Sequence, residues 1–208
     1  MGFVVIHPED DAAAEQAAKW CSELVDELVA AGHELIEDVN EQTPADSASI
    51  EAALEMPAEL VCYFGHGTPD SWQTDGQTTI ESGNVGRAAG KTVVSIACLT
   101  GRNLGPDAVT AGVSSWLGIT IKVPVLPPHK NVDPMGSAFV SGLRHLSRSA
   151  TIGDVRDSLI AAFEQLAVDY DDGGRFAGRP DQPIGYYGAH ALKDSIEVSG
   201  RKTAIPLP

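Results

Sequence analysis

Two apolar segments of this sequence each end in a side chain that can take part in nucleophilic chemistry. His66 stands between two glycines just after the run 60–64. Cys98 directly follows a second apolar run, 92–97. If the two runs are neighbouring strands of one parallel sheet, both side chains emerge at its carboxyl edge, where open α/β sheets usually bind ligands. A thiol beside an imidazole is the minimal arrangement for nucleophilic acyl transfer.

The residues around His66 and Cys98 favour a functional role for the pair. Glycine permits unusual backbone angles and close approach of a ligand to the main chain, which a purely structural histidine does not need. Cys98 is followed by residues of turn composition, 99–103, whereas Cys21 and Cys62 fall within helix and strand patterns and are interpreted as core residues. Cys98 alone is ambiguous, and its pairing with His66 supports the functional interpretation.

Strand and helix patterns alternate along the chain. The predicted strands are 3–6, 33–39, 60–64, 78–80, 92–97, 115–123, 184–187 and 195–198. The predicted helices are 12–30, 46–56, 84–89, 106–111, 134–146 and 152–168, with a loop at 169–183. This alternation predicts an α/β fold: a mostly parallel central sheet flanked by helices on both faces. With no internal repeat or linker, we expect residues 1–208 to form a single domain.

Composition limits the classes of partner. The chain has 29 acidic and 14 basic residues, a net charge of −15, and no cluster of Lys or Arg. Nucleic acid and anionic membranes are therefore not expected to bind. The acids are interpreted as a solvated acidic surface, and steering of cationic substrates is the alternative. Three cysteines without disulfide spacing, an N-terminus that begins as a strand and no apolar run of about 18 residues predict a cytoplasmic protein.

Other kinds of site have weak support in the sequence. No CxxC, HxxxH or HExxH spacing is present, so no metal is expected. The glycine-containing segments 83–90 and 101–105 do not form a nucleotide-binding loop, so no cofactor is expected either. His7, His129 and His190 fall near strand ends or in loops and could reach the site.

A strand that ends in His-Gly, followed by a strand that ends in Ala-Cys, resembles the caspase-hemoglobinase class of cysteine peptidases (clan CD). The segment Ala-Cys-Leu-Thr-Gly at 97–101 is most similar to the gingipain and CHAT branch. The stretch 143–154 is similar to it as well, because a helix end is followed there by Thr-Ile-Gly-Asp. Tyr-Tyr-Gly at 186–188 resembles the closing strand of that branch, although the usual Gly-Asp-Pro is replaced by Gly-Ala-His at 188–190. The resemblance covers roughly residues 60–188.

The resemblance implies a cysteine endopeptidase that acts on a protein or peptide substrate without a cofactor. His66 would be the general base and acid, and Cys98 the nucleophile. The backbone N–H groups of Gly67 and Cys98 would form the oxyanion hole. No third catalytic acid is obligatory in this class. Asp70 and Asp75 could bind a basic side chain of the substrate, or could be solvated loop acids, which is the interpretation favoured.

Two other functions remain open from the sequence. The first is a caspase-like binding or regulatory module that has lost catalysis, since no appended sensor domain explains how a peptidase would be activated. The second, with less support, is a flavodoxin-like binder of a small ligand.

Overall fold

A six-stranded sheet forms the centre of the molecule in the computed structural model, which describes residues 1–126, 128 and 132–207. The strands of this sheet are β1 (Gly2–Ile6), β2 (Glu34–Val39), β3 (Leu60–Phe64), β7 (Thr92–Ile96), β8 (Ser115–Ile119) and β9 (Ile196–Gly200). Their spatial order is β2-β1-β3-β7-β8-β9. All neighbours are parallel except β8 and β9, which are antiparallel. A mostly parallel sheet was predicted from the strand-helix alternation, and it is confirmed.

Helices cover both faces of the sheet. They are α1 (Ala12–Ala30), α2 (Ser47–Glu55), α3 (Leu104–Thr110), α4 (Pro134–Leu143), α5 (Ile152–Tyr170) and α6 (Gln182–Lys193). One hydrophobic core joins α1, α4, α5 and α6 to one face, and a second joins α2 and α3 to the other. None of the helices in the described parts of the chain carries an apolar stretch long enough to cross a bilayer.

Strand β3 shows why the central strands are continuously apolar. Leu60, Cys62 and Phe64 point into the core beneath α1, and Val61 and Tyr63 point into the core beneath α2. Successive side chains of a strand alternate between faces, so a strand covered on both faces needs apolar residues at every position.

The two core cysteines are chemically protected by this burial. Cys21 on α1 and Cys62 on β3 are both free thiols with no exposed surface. Burial raises the pKa of Cys62 to about 12, and it raises the pKa of Cys21 as well. Because the thiolate is the reactive form of cysteine, neither residue is a candidate nucleophile. Their interpretation as core residues is confirmed.

Short polar side chains cap the N-termini of four of the described helices, α1, α2, α4 and α5. The Asp11 carboxylate accepts backbone N–H bonds from the first turn of α1, and Asp46 does the same for α2. Thr151 and Asp154 form a capping box at the start of α5. An N-cap side chain satisfies N–H groups that the helix leaves without partners. Asp11 therefore has a structural reason to sit in the turn that follows β1.

A small antiparallel sheet stands at the carboxyl edge of the large one. It is formed by β4 (His66–Gly67), β5 (Ser71–Thr74) and β6 (Gln77–Glu81), and β6 includes the predicted strand 78–80. Asp75 and Gly76 join β5 to β6 with φ values of 51° and 70°. Asp-Gly is a preferred pair for two-residue hairpin turns, because both positions take positive φ.

The prediction of a strand at 184–187 is wrong, because these residues lie within α6. The buried residues of α6 are Gly185, Ala189 and Leu192, spaced four and three apart as on one face of a helix. Ile184 and Tyr187 supply the β-type character of the segment and are exposed. The likeness of 186–188 to a closing strand is wrong for the same reason.

Several predicted bounds also shift. Strand β8 ends at Ile119, so residues 120–123 are not strand. The predicted helix 134–146 is α4 followed by a 3₁₀ turn at Arg144–Arg148, and 84–89 contains a 3₁₀ turn at Val85–Ala88. The loop predicted at 169–183 is shorter, since α5 continues to Tyr170 and α6 begins at Gln182.

Candidate active site

The register between β3 and β7 determines where His66 and Cys98 lie. The two strands are parallel neighbours, and Phe64 pairs with Ile96 as their last residues. His66 and Cys98 each stand two residues beyond that pair at the carboxyl edge: His66 begins β4 after the bend at Gly65, and Cys98 lies in a turn. We call the segments 65–67 and 97–100 the two turns. A Cβ atom added to Gly67 would lie only 2.8 Å from the carbonyl oxygen of Cys98. The two turns therefore contact each other directly.

Close packing explains the glycines on either side of His66. A Cβ atom on Gly65 would lie 2.8 Å from the hydroxyl oxygen of Tyr63. A Cβ atom on Gly67 would lie 2.6 Å from Cγ2 of Thr100. The glycine positions with positive φ lie elsewhere in the chain. The glycines are thus needed for close approach of main chain to neighbouring atoms, rather than for an unusual backbone angle.

Two carboxylates face the His66 ring. Nε2 of His66 is 3.1 Å from Oδ2 of Asp11 and 3.6 Å from Oδ1 of Asp10. The other oxygen of Asp11 caps α1, and the other oxygen of Asp10 accepts the backbone N–H of Asp75 at 2.5 Å. The pKa of Asp11 is lowered, first because the Ala14 N–H donates to it and also because His66 does. Backbone N–H groups thus hold each acid through one carboxylate oxygen, and the other oxygen faces the imidazole.

The carboxylates select a tautomer of His66. Both carboxylates lie nearest to Nε2, which favours an N–H group there and leaves the lone pair of the neutral ring on Nδ1. A carboxylate that holds an imidazole in one tautomer and balances its positive charge is a recurring arrangement beside histidine bases. Neither acid was predicted from the sequence as a site residue.

Cys98 is half-buried, and its sulfur has a defined direction. The backbone N–H of Val123 donates to Sγ at 3.3 Å. The next residue, Leu99, adopts the left-handed conformation with φ of 66°, and its N–H donates to the carbonyl of Ile121 at 3.0 Å. Non-glycine residues rarely adopt this conformation, and backbone strain of this kind concentrates at functional sites. The strained residue directly follows the proposed nucleophile in the chain.

A buried network connects the two turns. The indole N–H of Trp72 donates to Oγ of Ser95 at 2.9 Å, and Ser95 Oγ is 2.9 Å from Oγ1 of Thr100. The ring of Tyr63 stacks on Trp72 with centroids 4.2 Å apart, and its hydroxyl lies 2.8 Å from the His66 carbonyl oxygen. Satisfied buried polar groups make a site rigid. This network holds the turns of the thiol and the imidazole against one another.

An acidic cavity opens on the far side of the two carboxylates. Its volume is about 410 Å³, and its lining includes Glu9, Asp10, Asp46 and Asp75, with no Lys or Arg among the described lining residues. Asp10 belongs both to this cavity and to the surroundings of His66. The cavity therefore adjoins the candidate site and is suited by charge to a cationic group.

The two acids predicted to contact substrate occupy different surroundings. Asp75 lines the acidic cavity, where it sits in the β5–β6 turn. Asp70 is exposed, and its carboxylate accepts a bond from the side-chain amide of Asn103 at 2.8 Å. The cavity lining brings Asp75 beside Asp10, and it does not include Asp70.

An apolar groove lies next to the Cys98 turn, and the chain that follows β8 forms part of its wall. It has a volume of about 440 Å³ and is lined by Ile121, Pro124, Ile184 and Tyr187, among others. Tyr187 is 72% exposed and Ile184 is 58% exposed. Ile121 is also the residue whose carbonyl binds Leu99, so the groove borders the turn of the thiol.

The three further histidines do not share one location. His7, at the end of β1, is buried, and its Nε2 is 2.7 Å from Oδ1 of Asp38. Burial opposes the charged form of His7, but the bond and charge of Asp38 outweigh it, so the pKa of His7 is raised. His190 lies on α6 against Tyr186, with ring centroids 4.6 Å apart. His129 lies outside the described residues.

The fold is that of the caspase-hemoglobinase class of cysteine peptidases, as the solved structures similar to this chain show. Gingipain R (RgpB), an Arg-specific cysteine proteinase, superposes with a TM-score of 0.61 at 15% identity, over 98% of this chain and 46% of its own. The complex of the Porphyromonas gingivalis RgpB pro- and mature domains gives a TM-score of 0.59 at 14% identity, over 99% and 48%. A secreted C11 cysteine protease from Bacteroides thetaiotaomicron, solved with an irreversible peptide inhibitor, gives 0.51 at 11% identity, over 82% and 59%.

These similarities concern the fold. The chain spans about half the length of the gingipain structures. No family model matches the sequence, and no curated protein matches it. The prediction of a caspase-like sheet with gingipain-like neighbours is confirmed, and the activity is argued below from the residues of this chain.

Proposed function

We propose that this protein is a cysteine endopeptidase in which Cys98 is the nucleophile and His66 is the general base and acid. The observation that carries the proposal is the contact between the two turns, set by the β3–β7 register. The acids behind His66, the strained turn at Leu99 and the buried network give further support, because a catalytic site needs its reacting groups fixed in place.

The proposed reaction begins with proton transfer from the Cys98 thiol to Nδ1 of His66. Asp10 and Asp11 offset the positive charge of the imidazolium that forms. The thiolate attacks the peptide carbonyl carbon, and the backbone N–H groups of Gly67 and Cys98 donate to the oxyanion. The imidazolium returns its proton to the leaving amine, which departs and leaves a thioester on Cys98. A water molecule, deprotonated by His66, then hydrolyses the thioester and frees the thiol.

We infer that the substrate is a peptide that places a basic side chain in the acidic cavity. Four carboxylates line the cavity, and one of them, Asp10, adjoins His66. Gingipain R, which shares the fold, is Arg-specific. The apolar groove beside the Cys98 turn offers a second contact area for an extended chain. An acidic cavity on one side and an apolar surface on the other suit a peptide with a basic side chain better than a small ligand.

The catalytic proposal is tested with an irreversible thiol-reactive peptide probe, with the labelled residue mapped by mass spectrometry. We expect labelling at Cys98 only, since Cys21 and Cys62 are buried. Labelling should fall strongly in His66→Ala, and peptide hydrolysis should vanish in Cys98→Ala with the fold retained. Absence of labelling in the intact protein would favour the binding module instead. A co-purified chromophore would favour the small-ligand binder.

The substrate preference is tested with a matched pair of isosteric variants. Asp75→Asn removes one charge from the cavity, and asparagine tolerates the positive φ of this position. We expect a loss of kcat/KM for peptides with Arg or Lys at the cleaved bond, with a smaller effect on neutral peptides. Asp70→Asn makes the same change of charge outside the cavity and should have little effect. Equal effects of the two variants would contradict the assignment of the cavity.

We also infer that the protein works in a reducing compartment, as the sequence predicts for the cytoplasm. Cys21, Cys62 and Cys98 are all free thiols in the structure. A peptidase whose nucleophile is a half-buried thiol loses activity when that thiol is oxidised. Rapid loss of activity in air, reversed by a thiol reductant, is the expected behaviour.

A further inference from the structure

The acids that face His66 form a converging set of ligand atoms. Asp10 Oδ1, Asp11 Oδ2 and His66 Nε2 all lie within 4.8 Å of one another. The second oxygen of each carboxylate is already engaged, by the Asp75 N–H or by the first turn of α1. The three atoms that remain point to one small volume, and the backbone bonds hold the carboxylates in that orientation.

One of the three atoms has no hydrogen-bond partner among the described residues. Oδ1 of Asp10 is buried and unpaired, and the Asp10 side chain is only 9% exposed. Nε2 of His66 is 3.6 Å from this oxygen, which is too far for a hydrogen bond, and it lies closer to Asp11, at 3.1 Å. A buried charged oxygen without a donor is costly, and each such group in a folded protein calls for an explanation. The neighbouring carboxylate of Asp11 adds electrostatic repulsion.

A divalent cation satisfies all three atoms at once. Zinc bonds of 2.0–2.2 Å in tetrahedral geometry place neighbouring ligand atoms about 3.4 Å apart. The distances of Nε2 to the two carboxylate oxygens, 3.1 and 3.6 Å, lie on either side of that value. One imidazole and two carboxylates suit zinc better than calcium or magnesium, which prefer oxygen ligands alone. Water would complete the fourth position.

We propose that Asp10, Asp11 and His66 form a zinc site, and that zinc bound there switches off the thiol chemistry. The metal takes the lone pair of Nε2, so the proton of the neutral ring must sit on Nδ1. A ring in that state has no lone pair to accept a proton from Cys98. The metal and the catalytic tautomer are therefore mutually exclusive. Geometry alone supports the metal site, whereas the inhibitory effect rests on the proposed function.

The site is tested by isothermal titration of zinc into the full chain carrying Cys98→Ala, after treatment with a chelator. The Cys98→Ala substitution removes the thiol as a competing ligand, and the titration does not require an active enzyme. We expect one saturable equivalent, with affinity at least tenfold lower in Asp10→Asn and in His66→Gln. Asp26→Asn removes an exposed acid of α1 away from the site and should bind as its parent does. His66→Gln serves as the second variant because its side chain is 36% exposed, so the fold should tolerate it.

Two results would overturn the site: no saturable binding, or affinity unchanged in both Asp10→Asn and His66→Gln. The switch is tested separately, by zinc inhibition of peptide hydrolysis in the protein with Cys98 intact. Inhibition should reverse with a chelator and should need at least tenfold more zinc in Asp10→Asn. Equal inhibition of Asp10→Asn and its parent would overturn the switch. If the protein hydrolyses no peptide, the proposed function fails, and the titration still decides the metal site.

Discussion

Replacing Gly67 by alanine tests the contact on which the proposed site depends. The added methyl group would lie 2.6 Å from Thr100 Cγ2, 2.8 Å from the Cys98 carbonyl oxygen and 3.1 Å from Ala97 Cβ. Two of these neighbours belong to the turn of the proposed nucleophile, and one is a backbone atom that cannot rotate away. The turns of His66 and Cys98 must therefore separate.

The size of the effect follows from the distances. Relaxing the closest backbone contact to an ordinary separation of about 3.5 Å moves the turns apart by roughly 0.7 Å. Overpacking of this kind costs on the order of 1–3 kcal/mol of unfolding free energy. A shift approaching 1 Å between reacting groups can cost about 10²-fold in rate. We expect Gly67→Ala to fold, with kcat for peptide hydrolysis reduced on the order of 10²-fold.

Gly83→Ala is the matched control, because among the described residues, its chain neighbours aside, the one heavy atom within 4 Å of its added methyl group is Glu81 Oε1, at 3.9 Å. Chemical denaturation gives the unfolding free energy of both variants, and initial rates on one peptide substrate give their activity. A folded Gly67→Ala protein with the activity of Gly83→Ala would refute the argument, since the two turns would then not need to touch.

Three more predictions concern residues around the site. Tyr63→Phe removes the hydroxyl that lies 2.8 Å from the His66 carbonyl, and should lower the unfolding free energy by about 1–3 kcal/mol and reduce kcat, as denaturation and peptide assays will show. Leu99→Val places a β-branched residue at a φ of 66° and should be less stable than Leu99→Asn by about 1–2 kcal/mol; equal stabilities would argue against strain there. The raised pKa of His7 means that its pairing with Asp38 stabilises the folded protein fully below pH 6.5, and that this contribution is lost as the pH rises through the raised pKa. The stability advantage over His7→Gln should therefore shrink with rising pH in denaturation curves, and a constant difference would contradict this assignment.

The sequence was sufficient to predict the sheet and the pairing of its two central strands. Runs that are apolar at every position, such as 60–64, indicate strands covered on both faces. Parallel neighbours bring the residues that follow them to one edge, and His66 and Cys98 could be paired on that basis. The segment 184–187 was mistaken for a strand because short apolar runs do not distinguish strand from helix. The helical spacing of the buried residues can be recognised only over the full length of α6.

The acids behind His66 could not be found by a search for motifs. Asp10 and Asp11 are more than fifty positions from His66 in the chain, and only the pairing of β1 with β3 brings them together. Asp11 is also the N-cap of α1, and this structural role is enough to explain an aspartate at that position in the sequence. The available signal was positional: an acidic pair in the short segment between β1 and α1, where β1 adjoins the strand that precedes the proposed base.

The order of the strands in the sheet determines the order of the proposed functional groups along its carboxyl edge. Acids follow β1, the proposed base follows β3 and the thiol follows β7, and these three strands are adjacent in that sequence across the sheet. The apolar groove is formed partly by the chain after β8, the next strand along, and the acidic cavity lies beyond the acids. A peptide laid across the edge would meet cation-binding, proton-transfer, nucleophilic and apolar surfaces in turn. Part of the net charge of −15 is therefore concentrated at one end of the proposed site. We propose that these acids bind a basic side chain of the substrate and, together with His66, a metal ion.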